Sequence, residues 1–119
     1  MNIKKIQKQL SDFADERDWD QFHNPKNLAM ALSVEASELV EIFQWLTPEQ
    51  AEMIMSSSES EHVKEEIADI MIYLIRMADK LNVDLESAVD DKIIKNSIKH
   101  PTEASEDSLV GKIKDLFRL

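Results

Sequence analysis

Apolar side chains recur along most of this chain at intervals of three and four residues, the spacing that aligns one face of an α-helix. Ile3, Ile6, Leu10 and Phe13 predict a first helix from about Ile3 to Arg17. The pattern then breaks at Asp18–Asn24, an aromatic-rich connection. Asn24-Pro25 reads as an N-cap followed by proline at the first helical position, opening a second helix that runs to about Trp45. Thr47-Pro48-Glu49-Gln50 repeats the start signal with a capping box, for a short third helix ending near Met55. A serine- and glutamate-rich loop, Ser56 to Glu61, precedes a fourth helix over about Glu61–Leu81. Between Ala68 and Ala78 its only charges are Asp69 and Arg76, so this helix is apolar nearly all round. Such a helix is central in a bundle or covered by another subunit. Asp84 caps a fifth helix that stops before His100-Pro101. A polar link, Thr102 to Asp107, leads to a short amphipathic helix carrying Leu109, Val110, Ile113, Leu116 and Phe117. The expectation is an all-α protein, a four- to five-helix antiparallel bundle over residues 1–101 with residues 102–119 appended.

Composition agrees with that reading. The chain has 119 residues with one glycine and three prolines, which suits one helical domain and disfavours sheets with tight hairpins. The net charge of −10 repels a phosphate backbone and speaks against binding duplex nucleic acid. There is no cysteine, so disulfides and thiolate chemistry are excluded and a reducing compartment fits. Met1 to Leu10 alternates lysines with isolated apolar residues and lacks the apolar centre of a signal peptide. The apolar run Ile70–Ile75 is far too short to cross a bilayer. These features predict a soluble, cytoplasmic protein without a membrane partner.

The chemistry lies in two acidic pairs, Glu35-x-x-Glu38 and Glu66-x-x-Asp69. Residues three apart share a helix face, so each pair can grip one cation. On a helical wheel Glu35 falls between Leu28, Leu39 and Ile42, and Glu66 falls between Tyr73 and Met77. A carboxylate on an apolar stripe requires a cation or a hydrogen-bonding partner, because burying it bare costs several kcal/mol. A single such pair is most often a solvated face, but two on apolar-flanked helices favour a divalent metal. Asp69 is the weakest member, since Arg76 and Lys80 share its side of the helix. Oxygen-only donors select Mg²⁺, with Mn²⁺ as the other candidate. A di-iron site would need Glu-x-x-His twice, and only Glu59-x-x-His62 has that spacing.

Mg²⁺ keeps several waters and commonly meets substrate through phosphate oxygens, which points to phosphoryl or nucleotidyl chemistry. Glu41, one further helical step beyond Glu35 and Glu38, could orient or deprotonate the attacking water, against a bland reading as solvated face. Trp19, Phe22 and His23 precede the second helix, Trp45 ends it, and Tyr73 lies one turn beyond Asp69. Such rings could stack a nucleobase; Phe13 and Phe43 are assigned to the core.

On these residues the chain resembles the MazG-like, all-α nucleoside triphosphate pyrophosphohydrolases, whose signature E-x-x-E, spacer, E-x-x-D is met by Glu35, Glu38, Glu66 and Asp69. Within that family it is most similar to the dCTP pyrophosphatase branch, over residues 16–45, 65–89 and 91–101. The resemblance implies Mg²⁺-dependent hydrolysis of a deoxynucleoside triphosphate to the monophosphate and pyrophosphate. It implies that the four acids hold the metal and that Trp19 to His23, Trp45 and Tyr73 line the nucleotide pocket. Lys92 and Asn96 would lie near the phosphates, and the protein would be a homodimer or homotetramer. Leu10 stands where the cytosine-specific relatives carry a histidine. Two rival readings compete: an acidic helical adaptor without activity, and a nucleotide phosphatase releasing orthophosphate. The adaptor accounts for the charge but not for the apolar setting of Glu35 and Glu66. Assembly is expected through the fourth helix, with Ile72 and Ile75 facing away from a core stripe of Val63, Ile67, Leu74 and Leu81.

Overall fold

A computed structural model of the chain describes residues 1–102 and Leu116. These residues form five α-helices: α1 (Ile3–Glu16), α2 (Pro25–Phe43), α3 (Pro48–Glu52), α4 (Ser60–Leu81) and α5 (Leu85–Lys99). Two 3-10 turns, Asp20–Phe22 and Ile54–Ser56, complete the connections, and the described residues contain no strand. The expected C-terminal amphipathic helix lies outside the described residues.

Local chemistry sets the boundaries. The Asn24 side chain accepts the Asn27 backbone N–H at 2.9 Å, and Pro25 occupies the first helical turn. At Thr47 both halves of the capping box form: its hydroxyl accepts from the Gln50 N–H at 3.2 Å, and the Gln50 side chain accepts from the Thr47 N–H at 2.9 Å. Helix α4 ends at Asn82, whose φ of 56° is the left-handed conformation that asparagine tolerates better than most residues. Asp84 then caps α5 by accepting the Ser87 N–H at 3.1 Å.

The chain divides into two compact units, Met1–Val83 and a second beginning at Asp84. In the first, α2 packs chiefly on α4, and α1 also packs on α4. The α2–α4 pair is antiparallel. His23, just before α2, meets Arg76 late in α4, Glu35 meets Glu66 in its first third, and Ile42 shares a cleft with Glu59 and His62 at its start. Leu28 and Ile75 are the largest fully buried side chains, and burying each contributes roughly 2 kcal/mol. Ala14, Ile54, Val63 and Ala78 complete the buried apolar set.

The inside and outside of α4 differ from the expectation. Ile75 is 1% exposed and belongs to the core, whereas Ile67, assigned to the core stripe, is 54% exposed. Met71, Leu74 and Leu81 are also exposed, and so are Met30, Val34 and Val40 of α2. Ile72, expected to face outward, does so. Helix α1 packs on α4, so more than one side of α4 carries buried residues and a single stripe does not describe it. Phe13, expected in the core, is about half exposed, with the Arg17 guanidinium 3.5 Å from its ring centre.

In the second unit α5 carries Val89, Ile93, Ile94 and Ile98 as exposed apolar side chains. Lys92 and Asn96 lie one turn apart on α5, and both are exposed.

Candidate metal and nucleotide site

The antiparallel pairing of α2 and α4 brings three of the four predicted acids together. One carboxylate oxygen each from Glu35, Glu38 and Glu66 lies within 4.8 Å of the others. Glu66 is only 7% exposed, and its Oε2 is buried without a hydrogen-bond partner. Oε2 of Glu35 is buried and unpartnered in the same way. An orphaned carboxylate oxygen normally costs several kcal/mol, so two of them side by side call for a cation or a shared proton. The adjacent carboxyl of Glu66, then burial, then the carboxyl of Glu38 push the Glu35 pKa up to about 7. The chain therefore holds a proton where a positive charge is wanted. Hard oxygen donors converging in this way fit Mg²⁺ or Mn²⁺.

Asp69 does not join the three-carboxylate set. It is half-buried one turn before Tyr73, and its charge acts on that phenol together with those of Glu35 and Glu38. Burial first, then these three carboxylates, raise the Tyr73 pKa above its ordinary value. The anticipated competition for Asp69 is resolved elsewhere. Arg76 pairs with Asp20 at 2.7 Å and more loosely with Asp79 at 3.8 Å, and Lys80 also pairs with Asp20.

That ion-pair set anchors the aromatic segment. Arg76 is 4% exposed, and its Nε donates to His23 Nδ1 at 3.3 Å while an Nη donates to Asp20. His23 therefore carries its proton on Nε2. Burial, then the Arg76 and Lys80 charges, hold its pKa below the ordinary histidine value. Trp19 meets the Phe13 ring edge-on at 5.7 Å between centres and lies 6.3 Å from the His23 ring. Phe22 is exposed, and its carbonyl accepts from the Asn27 side chain.

An open cleft of about 610 Å³ adjoins the carboxylates, lined by Glu38, Glu41, Ile42, Glu59 and His62. Glu41 is exposed on its wall. Trp45 is 86% exposed, outside any core. Its backbone is nonetheless pinned, because the Gln44 N–H donates to Val40, the Leu46 N–H donates to Phe43, and the Thr47 box follows. Sequence reasoning weighed His62 only as half of a di-iron motif. The structure places its Nδ1 3.0 Å from Glu59 and its Nε2 3.5 Å from Glu66. Its position one turn before Glu66 was the available signal.

Comparison with known proteins places this geometry. Residues 30–116 match the MazG-like family along most of the chain. The chain belongs to the MazG-like family. Among curated relatives, this MazG-like chain is 40% identical over 107 residues to dCTP pyrophosphatase 1 of Bos taurus, covering 89% of this chain and 63% of that protein. It is 39% identical to dCTP pyrophosphatase 1 of Homo sapiens over the same span. The MazG-like chain thus spans somewhat less than two thirds of the length of these relatives. A crystal structure of a pyrophosphatase from Archaeoglobus fulgidus superposes with a TM-score of 0.79 at 37% identity, covering 86% of this chain and 94% of that one. The expected family and all-α fold are borne out.

Proposed function

We propose that the protein hydrolyses nucleoside triphosphates to the monophosphate and pyrophosphate, with Mg²⁺ or Mn²⁺ held by Glu35, Glu38, Glu66 and Asp69. The observation that carries this reading is the set of three converging carboxylates, two with orphaned buried oxygens, beside an open cleft. The names of the relatives, dCTP pyrophosphatase and pyrophosphatase, support the reaction class and a dCTP-like substrate.

A bound divalent ion supplies neutralisation of phosphate charge and an acidified water. The chain's own residues do the rest. Glu41, on the cleft wall beside Glu38, orients the attacking water and accepts its proton as the α–β phosphoanhydride opens and pyrophosphate leaves. The Trp19, Phe22 and His23 segment, held by Arg76 and Lys80, together with Trp45 and Tyr73, forms the base-side surface; each stacked ring contributes roughly 1–3 kcal/mol. Lys92 and Asn96 of α5 supply phosphate contacts.

We further propose a homodimer or homotetramer. Ile67, Met71 and Leu74 recur at helical spacing on one side of α4 and are exposed, a pattern soluble monomers rarely leave uncovered. A cytoplasmic location fits the cysteine-free composition.

Assaying a panel of dNTPs and NTPs for pyrophosphate tests the reading directly. Pyrophosphate released stoichiometrically with monophosphate, highest with a pyrimidine deoxynucleotide, is expected. Orthophosphate as the first product would move the protein to the phosphatases. No hydrolysis of any nucleotide would leave the acidic adaptor.

A further inference from the structure

The Glu59–His62 pair is not used by the proposed reaction, yet it stands at the edge of the carboxylate set. His62 Nδ1 lies 3.0 Å from Glu59 Oε2, and its Nε2 lies 3.5 Å from Glu66 Oε1. Carboxylates face both ring nitrogens, so without an ion Glu59 above all, with Glu66 and Glu65, holds the imidazole towards its protonated form. An ion between Nε2 and Glu66 would take the place of the Nε2 proton, leaving Nδ1–H on Glu59 in the orientation usual for metal-binding histidines. Two ligands on one ion, each about 2.1 Å from it, lie about 3.0–3.4 Å apart, close to the separation seen here. Glu66 is nine-tenths buried, and its other oxygen, Oε2, has no hydrogen-bond partner, so this carboxylate has an oxygen free to take a cation. His62 itself is half exposed on the wall of the 610 Å³ cleft, within reach of an ion entering from solvent.

Resting on the metal reading above, we propose that His62 is a nitrogen ligand on the cleft side of Glu66. Glu66 is then shared between the three-carboxylate set and the imidazole, and Glu59 is the positioning residue that aims Nε2. The chemical consequence is selectivity. Carboxylates alone suit Mg²⁺, whereas an imidazole adds affinity for first-row transition ions and little for Mg²⁺. The site is thereby biased towards a transition ion such as Mn²⁺ or Co²⁺ beyond what its oxygens provide. The Glu59-x-x-His62 spacing, which resembles half of a di-iron motif, has another meaning here: the glutamate orients the histidine and does not chelate beside it.

The test uses the full chain loaded with substoichiometric Mn²⁺ and read by electron spin-echo envelope modulation, which detects ¹⁴N bound to the ion. The parent should show imidazole modulation, and His62→Gln should lose it while still binding Mn²⁺. The ratio of Mg²⁺ to Mn²⁺ dissociation constants, measured calorimetrically, should fall about tenfold in His62→Gln, with a smaller fall in Glu59→Gln. His62 is half exposed, so both variants should fold, and circular dichroism verifies this. Mn²⁺ held by the parent through oxygen alone, or an unchanged ratio in His62→Gln, would overturn the ligand assignment while leaving the three-carboxylate site standing. Failure of the parent to bind Mn²⁺ at all would overturn both.

Discussion

Replacing Glu35 by glutamine should stabilise the metal-free protein at pH 8 and leave it nearly unchanged at pH 4. The three carboxylates lie within 4.8 Å of one another. Two charges at that separation repel by about 3 kcal/mol at an effective dielectric constant of about 20, and solvent at the half-exposed Glu35 and Glu38 reduces this to about 1–2 kcal/mol. The chain relieves that repulsion by keeping a proton on Glu35, with its pKa raised from 4.5 to about 7. Between those two values the native state binds more protons than the unfolded chain, so stability falls as pH rises through that window. Below it Glu35 is neutral in both states, and glutamine imitates it; above it glutamine removes a charge that the parent must carry. At pH 8 in EDTA the variant should therefore melt about 4–8 °C above the parent. Saturating Mg²⁺ should reverse the order, because the ion binds the native parent and loses one ligand in the variant; a concentration of 100 Kd adds about 2.7 kcal/mol. Thermal melts by circular dichroism at the two pH values, with EDTA or Mg²⁺, give all the comparisons. A variant less stable than the parent in EDTA at pH 8, or equal Mg²⁺ shifts for both proteins, would refute the shared-cation picture.

Three further outcomes are expected. Glu38→Gln should reduce pyrophosphate release by at least 10²-fold, the order seen when one charge-stabilising group is removed, with near-normal turnover refuting its assignment. Trp45→Ala should raise KM about 5- to 100-fold with no change in melting temperature, since the ring is almost wholly exposed; an unchanged KM would remove Trp45 from the base pocket. Leu74→Glu, on the exposed face of α4, should shift the protein to monomers in light scattering with circular dichroism retained, and a parent that is already monomeric at micromolar concentration would disprove the interface.

Much of this fold was legible because its punctuation is local. Asn24-Pro25, the Thr47 capping box and Asp84 each act within one turn, so the helix starts could be read within a residue or two. The acidic centre was legible for a similar reason, since periodicity placed Glu35 and Glu66 on inward faces. What periodicity could not supply was partner choice across elements. Arg76 and Lys80 share a helix face with Asp69, yet their carboxylate is Asp20, far away in the chain and brought in by the loop after α1. Ile75 and Ile67 exchanged their expected places because α1 also packs on α4, a tertiary fact invisible to a single helical wheel. His62 was weighed with Glu59 alone, its nearer partner at 3.0 Å; its i+4 relation to Glu66, 3.5 Å away, went unread.

The exposure of Trp45 has an optical consequence. The chain contains two tryptophans, and they occupy different surroundings: Trp19 meets the Phe13 ring, whereas Trp45 projects into water from a turn fixed on both sides. Trp45 should thus dominate the red edge of the emission. A planar ligand laid on Trp45 alone would quench that component, whereas a base stacked against both segments would quench Trp19 as well. Trp19→Phe, which keeps an aromatic ring in the proposed base-side surface, would leave Trp45 as the one indole and make a fluorescence titration report on that ring.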